Sequence, residues 1–392
     1  MVILEKPYVS DLLLETLVKM GVPVLDNEVA REAAGRESGQ GLNVRPEEAF
    51  IRLYRENPVQ PVYSNSENAI EWVKAHLDGG DLPDRIGLFK DKAAFRDLVR
   101  DLWPDFRYRT VRFEDLGDVD PAEVPIPCVL KPCVGFFSLG VHMVESVDGF
   151  RKAVRAVREE VGRIRSMYPA EVLKLDNFII EQCIEGEEFA VDAYFDAAGA
   201  PVILNIFSHL FASSDDVGDR CYFTSSEIIA EHHDRFLELL QQIGNRANLR
   251  NFPLHIEVRV DGSGNVGVIE VNPMRFAGWC VTDLAWHAYG VNPYTCFMEG
   301  KAPDWRAICA ARQGKVYAMV IGDIDASVDR ANVASVDYAA FLSAFSNPLE
   351  LRRIDYREYP VFAFVFAEVD RENLDELKRL LPADFGVYLK MA

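Results

Sequence analysis

The sequence predicts a mixed fold, α/β at its start and α+β after it, built from roughly two to four compact units. Three observations carry this. The chain has 392 residues; it opens on a strand–helix–strand pattern; and it later shows alternating hairpins, then a closing run in the order βαββαβ.

In VILEK, Ser10 to Met20 and VPVLD, a short apolar strand, an amphipathic helix and a second strand follow one another. Ser10 or Asp11 caps the helix and Gly21 ends it, so the opening reads as a parallel βαβ unit. A strand near Val62 and Tyr63 leads into the helix SENAIEWVKAHL, capped by Ser66, with Ile70, Val73 and Leu77 at helical spacing. GGDLP, from Gly79 to Pro83, punctuates the chain and marks a boundary. KDKAAFRDLVRDL is a further amphipathic helix, followed by a charged connector and the apolar run IPCVLKP. Asp148 to Tyr168 is helical, with Arg and Glu at i,i+4 spacing on a solvated face. FIIEQCI and EFAVDAYFD are strands joined at Glu185 and Gly186, and residues 228–243 form a helix whose EHHD lies at the surface. From Lys315 the βαββαβ run is expected to pack as its own layer, without a chemical motif. The expected units are 1–86, 87–310 with a mobile lid at about 124–178, and 311–392.

Composition narrows the function. Hydrophobic residues make up 49% of the chain, charged 27% and aromatic 11%, which excludes a disordered or collagen-like chain. The formal charge of −20, from 42 Lys and Arg against 62 Asp and Glu, repels nucleic acid and anionic membranes. The opening apolar run is too short for a secretory signal, and no stretch is suited to span a bilayer. The 7 cysteines include no C-x-x-C pair, which fits reduced thiols in the cytoplasm rather than a disulfide frame or zinc site.

Chemistry concentrates in three segments. HIEVRVDGSGNVGVIEVNP, residues 255–273, reads as a hairpin turning near Ser263 and Gly264, with Glu257 opposite Glu270 and His255 opposite Asn272. Alternation puts His255, Glu257, Arg259, Val268, Glu270 and Asn272 on one face, and Ile256, Val258, Val260, Ile269 and Val271 on the other. Facing carboxylates repel unless a cation lies between them. Two glutamates and an asparagine carbonyl are hard oxygen donors suited to Mg2+; the alternative is a solvent-facing hairpin neutralised by Arg259. In VLKPCVGFFSLGV a buried strand delivers Lys131, and Gly135, Ser138 and Gly140 punctuate a loop able to hold phosphate oxygens. It lacks the Walker order, and a plain hairpin is its alternative. In IIEQCIEGEEFAVD, Glu181 and the backbone of Gln182, Cys183 and Ile184 can face an adenine edge, with Glu188 near ribose hydroxyls, or the segment is an ordinary hairpin.

Taken in this order and at these separations, the three segments resemble the ATP-grasp superfamily from about Lys90 to Asn292. The resemblance implies the ATP-grasp fold, in which two α+β subdomains clamp ATP, here preceded by a Rossmann-like pre-ATP-grasp domain. It implies that Lys92 and Lys131 contact the nucleotide phosphates and that Gly135, Ser138 and Gly140 belong to the closing loop. It also implies that Glu181 through Ile184 form the adenine hinge, that Glu188 contacts ribose, and that Glu257, Glu270 and Asn272 hold Mg2+ or Mn2+. Phe136 and Phe137 stand where many members have glycine. The usual Asn-x-Arg is replaced by Asn272-Pro273-Met274-Arg275, so the arginine that steadies an acyl-phosphate is Arg275, displaced by one residue. On a strand that displacement would change its side.

The activity implied is ligation of a carboxylate to an amine through an acyl-phosphate, giving ADP and phosphate. The substrates expected are amino acids or small peptides, and the protein a homodimer. Lys131 and Arg275 would serve the chemistry, and no covalent enzyme nucleophile is required. Residues 205–226, long, polar and interrupted by Gly218, are expected to supply substrate contacts through His209 and Arg220; otherwise Asp215, Asp216 and Asp219 simply pair with Arg220. Gly278, Trp279 and Asp283 would border the same pocket. A carboxylase or purine-pathway ligase, and a kinase of the same superfamily, share these motifs. A regulatory protein without turnover is disfavoured by the complete set of lysines, glutamates and asparagine.

Overall fold

Parallel strands need a crossover between them, and the helices that separate the short apolar strands at the opening of the chain supply it. In the computed structural model, which describes residues 1–135, 140–167, 176–210 and 220–392, the first sheet holds β1 (Val2–Ile3), β2 (Pro23–Leu25), β3 (Asn43–Arg45) and β4 (Tyr63–Ser64). Their order is β3-β2-β1-β4 and every pairing is parallel. Helix α1 (Asp11–Met20) starts where Ser10 accepts from the Leu13 N–H and stops at Gly21, φ 62°. Such a cap is worth about 1 kcal/mol. The stretch between Leu25 and Val62 adds α2 (Glu28–Ala34) and α3 (Glu47–Glu56), which its short apolar periods do not announce. A 3₁₀ turn, Glu67–Ala69, capped by Ser66, precedes α4 (Ile70–His76). The Ser64 N–H donates to the Met274 carbonyl at 2.9 Å, tying this sheet to the glutamate hairpin.

Two short helices, α5 (Leu82–Lys90) and α6 (Lys92–Leu98), lead into an antiparallel sheet. It contains β5 (Tyr108–Arg112), β6 (Cys128–Pro132), β7 (His142–Val144) and β8 (Asn177–Gln182), in the order β5-β8-β6-β7. Helix α7 (Val147–Met167) covers it, packing Phe150, Val154 and Val157 on Leu130, Phe178 and Ile180.

The largest sheet is assembled from β9 (Glu187–Phe195), β10 (Pro201–His209), β11 (Cys221–Ser225), β12 (Phe252–Val260) and β13 (Val266–Pro273). Helix α8 (Ser226–Ala247) lies on it, with Phe236, Leu240 and Ile243 in one core with Phe189, Phe195 and Phe207. A Cβ on Gly244 would stand 2.1 Å from the Phe195 ring, so only glycine permits this approach. His232 contradicts the surface reading of EHHD: it is buried, its ring 4.3 Å from that of Phe189. The apolar period of α8 reaches it, and the polarity of its neighbours conceals this.

The closing run departs from its expected layering. β14 (Lys315–Asp323), β16 (Pro348–Arg353) and β17 (Val361–Asp370) join the large sheet, giving eight strands in the order β13-β12-β9-β10-β11-β14-β17-β16. Pairing of β11 with β14 satisfies an edge that would otherwise be open. β15 (Val333–Val336) and β18 (Leu389–Met391) form a separate ladder over Phe341, Phe362 and Phe385. No helix among the described residues is long and apolar enough to cross a membrane.

Candidate active site

The glutamate hairpin is antiparallel, with Glu257 paired to Glu270 and His255 to Asn272. Beyond that point a bulge intervenes: Val258 pairs with Val268, Arg259 with Gly267 and Val260 with Val266. The extra residue, Ile269, ends simple alternation. Val268 therefore enters the core instead of lining the glutamate face, and Ile269 is left half-buried next to Glu270. Strict period-two reading cannot locate such an insertion, because both flanking runs alternate correctly.

Within the hairpin the Asn272 amide lies 3.4 Å from Glu257 Oε1 and 3.3 Å from Glu270 Oε1, which draws the two carboxylates together. Lys92 Nζ stands 3.3 Å from Glu270 Oε2. Arg259 does not neutralise the pair; its guanidinium binds Glu188 at 2.9 Å and the Ile184 carbonyl at 2.8 Å. Burial pushes the Glu270 carboxyl up, but Lys92, Lys131, Lys90 and the Asn272 amide outweigh it and hold it at about 2. The donor set is thus oxygen-rich, with Glu270 held as a carboxylate, which is the chemistry a hard divalent ion takes. Among the described residues no group of three or more His, Cys, Asp and Glu is arranged to hold a metal ion.

Lys92 owes its place to the start of α6. Asp91 Oδ1 accepts from the Ala93 and Ala94 N–H groups, and the Lys92 N–H donates to the Cys133 carbonyl just past β6. Lys131, on β6 itself, is buried and pairs with Glu181 Oε1 at 2.5 Å; Arg96 holds the other oxygen at 2.9 Å. Burial pushes the Glu181 carboxyl up, yet Lys131 and Arg96 bring it below its ordinary value, so the carboxylate is ionised between two cations. Glu181 therefore buttresses Lys131 in this structure. Of the predicted hinge backbone, the Gln182 N–H is taken by the Arg107 carbonyl at 2.9 Å and the Cys183 N–H by Pro127 at 3.1 Å. Glu188 is occupied by Arg259. A cavity of about 330 Å³ borders this segment, walled by Arg96, Trp103, Phe106, Cys183 and Ile184.

Past Asn272 the strand ends at Pro273, and Met274 turns the chain with φ 69°. Alternation stops there, so a shift of one residue no longer dictates the side on which Arg275 emerges. Its guanidinium lies 3.3 Å from Glu67 Oε1, while Lys90 holds Glu67 Oε2 at 2.6 Å. Glu67 is in turn close enough to Glu270 to feel its charge. Lys90, Lys92, Lys131, Arg275, Glu257, Glu270 and Asn272 thus share one charged neighbourhood.

Other predicted residues lie elsewhere or are engaged. Arg220 binds Asp323 at 3.0 Å, the Ala383 carbonyl at 2.8 Å and the Leu381 carbonyl, so its donors serve the closing run, not a substrate. Distance in sequence hid these partners. His209 packs on Tyr222 across the β10–β11 ladder, 4.2 Å between rings. The expected long loop is thus partly a hairpin; residues 211–219, with Asp215, Asp216, Gly218 and Asp219, lie outside the described residues. So do Phe136, Phe137 and Ser138. Gly135 and Gly140 flank them, Gly140 with φ 71°. Glu67, Lys90, Arg96 and Ile269 were not anticipated. Lys90 sits in the same KDK as Lys92, and Arg96 follows Lys92 by one helical turn, which is the signal that could have found them.

Comparison with known proteins agrees with this architecture. Residues 124–283 match the ATP-grasp domain family. The L-amino acid ligase from Bacillus licheniformis has TM-score 0.64 at 16% identity, over 100% of this chain and 98% of that one. N5-carboxyaminoimidazole ribonucleotide synthetase from Thermotoga maritima has TM-score 0.65 at 14% identity, over 100% and 98%. Biotin carboxylase from Campylobacter jejuni has TM-score 0.65 at 12% identity, over 100% and 91%. No curated protein matches the chain in sequence. With the domain match spanning β6 to the glutamate hairpin and the fold shared along the whole length, the chain has the ATP-grasp fold, and its residues 124–283 match the ATP-grasp domain.

Proposed function

We propose that this protein is an ATP- and Mg2+-dependent ligase that joins a carboxylate to an amine, with an amino acid or small peptide as substrate. The observation that supports it is the facing pair Glu257 and Glu270, bridged by Asn272 and set against Lys92, with Arg275 on the turn just past the same strand. In this reading Glu257, Glu270 and Asn272 hold Mg2+, and Lys92 and Lys131 take the nucleotide phosphates. The metal supplies charge neutralisation and orients the triphosphate. Lys131 exchanges Glu181 for phosphate oxygens, so its charge is pre-positioned rather than recruited from solvent. The substrate carboxylate attacks the γ-phosphate and ADP leaves, giving an acyl-phosphate; a neutral amine then attacks the acyl carbon, phosphate leaves with the acyl–oxygen bond electrons, and the amine nitrogen loses a proton to give the amide. Arg275 steadies the negative charge that develops on the acyl oxygen. In the same reading residues 1–86 and 87–310 are two units, with about 124–178 as the lid, and the closing run extends the large sheet of the second.

The amino-acid reading draws on the likeness to the L-amino acid ligase, while the carboxylase and purine-pathway alternatives draw on the other two neighbours. Phosphate release from MgATP, measured with amino acids singly and in pairs, separates them. Release that needs an acid and an amine together supports ligation. Release stimulated by bicarbonate transfers the reading to carboxylation.

A further inference from the structure

Strand β13 lies at the end of the large sheet, so among the described residues no strand pairs with its outer side. It also carries the bulge, where Ile269 has no opposite number in the register. An unpaired residue on an open edge leaves the peptide planes on either side of it free to turn, and the plane between Ile269 and Glu270 sets where the Glu270 side chain points. One side chain takes both carbonyls. Arg96, buried on α6, donates from Nη1 to the Val268 carbonyl at 2.7 Å and from Nη2 to the Ile269 carbonyl at 3.3 Å. Its Nε reaches Glu181 Oε2 at 2.9 Å on β8, and Glu181 Oε1 pairs with Lys131. The Phe106 ring centre lies 4.6 Å from the guanidinium carbon and closes one face of it. A rigid planar fork suits several acceptors in fixed directions, which a single ammonium does not. Lys92 stands about one turn earlier on the same helix.

We infer that Arg96 is a positioning residue: it ties the two peptide planes of the bulge, and with them the aim of Glu270, to the helix that carries Lys92 and to the Glu181–Lys131 pair. The inference rests on the metal and nucleotide reading above. Loss of a contact that orients a metal-binding side chain costs about 10–100-fold in metal affinity. Substitutions separate what the fork does. In Arg96→Lys a positive charge stays beside Glu181, but one nitrogen on a flexible stem cannot hold both carbonyls and the carboxylate in the same geometry. In Arg96→Gln the charge goes as well, so Glu181 is left to Lys131 alone and Lys131 is less ready to exchange it for phosphate oxygens. Trp103→Phe is the comparison on the same edge, since it removes only the indole N–H that donates to the Val266 carbonyl at 2.8 Å, away from the bulge.

The test is Mn2+ binding by the full chain with saturating ADP, followed by electron paramagnetic resonance at a temperature where circular dichroism shows each variant folded, with binding of metal-free ADP measured separately. Arg96→Lys should weaken Mn2+ about 10–100-fold and leave metal-free ADP within about twofold, whereas Arg96→Gln should weaken both. Trp103→Phe should leave both within about twofold of wild type. Wild-type Mn2+ affinity in Arg96→Lys would overturn the inference, and so would an equal loss in Trp103→Phe, which would mark a general weakening of the edge. Should Arg96→Lys not fold, Arg96→Gln decides on the same Mn2+ readout. A wild-type protein that binds no Mn2+ with ADP would remove the metal reading and the inference together.

Discussion

Replacement of Arg352 by methionine removes a charge from the junction that holds the segment following the glutamate hairpin. Arg352, on β16, reaches Asp283 Oδ2 at 2.5 Å, and the two side chains are 7% and 0% exposed. Tyr294 donates to the other oxygen of Asp283 at 2.7 Å, so no solvent is available to take over the charge. Arg352 also forks onto Glu350, and its guanidinium lies 4.6 Å from the Phe366 ring centre. Breaking one side of a buried pair costs about 3–5 kcal/mol, most of it the stranded partner. Urea unfolding followed by tryptophan fluorescence should show that loss for Arg352→Met. The double variant Arg352→Met, Asp283→Asn should recover at least half of it, because the stranded charge is gone. Glu350 behaves differently. Burial raises its carboxyl, but His287 and Arg352 bring it to about 2, below the ordinary 4.5. A depressed carboxyl stabilises the fold above about pH 4.5 and loses that contribution as pH falls toward 2. Its side chain is 37% exposed, so screening limits the effect of Glu350→Gln at pH 7 to about 1 kcal/mol or less. An Arg352→Met chain within about 1 kcal/mol of wild type would refute the view that this pair carries the Asp283 charge.

Three further outcomes follow from named contacts. Glu270→Gln should abolish Mg2+-dependent ATP turnover with the fold intact by circular dichroism; wild-type turnover would contradict the metal assignment. Arg220→Met should lower stability by about 1–3 kcal/mol through its lost carbonyl and Asp323 contacts, with substrate KM values unchanged in steady-state assays. Gly186→Ala should cost at least about 2 kcal/mol in urea unfolding, because φ is 117° there and a Cβ would meet the Val260 carbonyl at 2.2 Å.

Local signals carried much of the fold. Ser10, Gly21 and the apolar spacing of α1 are contained within one helix, and the expected pairing of Glu257 with Glu270 is present, although the structure reaches it through the bulge at Ile269. What the pattern missed depends on contacts between distant segments. The junction of β11 with β14 is an edge pairing across about a hundred residues, and nothing in either strand announces its partner. Arg220 was read as a substrate contact or as a partner of Asp215, Asp216 and Asp219, because Asp323 and Ala383 lie in another part of the chain. Glu181 and Glu188 were read as ligand contacts, yet each already has a cation beside it, Lys131 or Arg96 for one and Arg259 for the other. The bulge at Ile269 escaped for a local reason: an insertion preserves alternation on both sides of itself.

The central claim, that the lysine and glutamate neighbourhood activates a carboxylate for attack by an amine, is tested most directly by phosphate release from MgATP against a matrix of amino acids, singly and in pairs, with bicarbonate as a separate arm. The account predicts release only when a carboxylate and an amine are both present, with one ADP and one phosphate for each amide bond formed. Release that bicarbonate alone stimulates, or a stable phosphorylated acid that accumulates in the presence of amine, would contradict it.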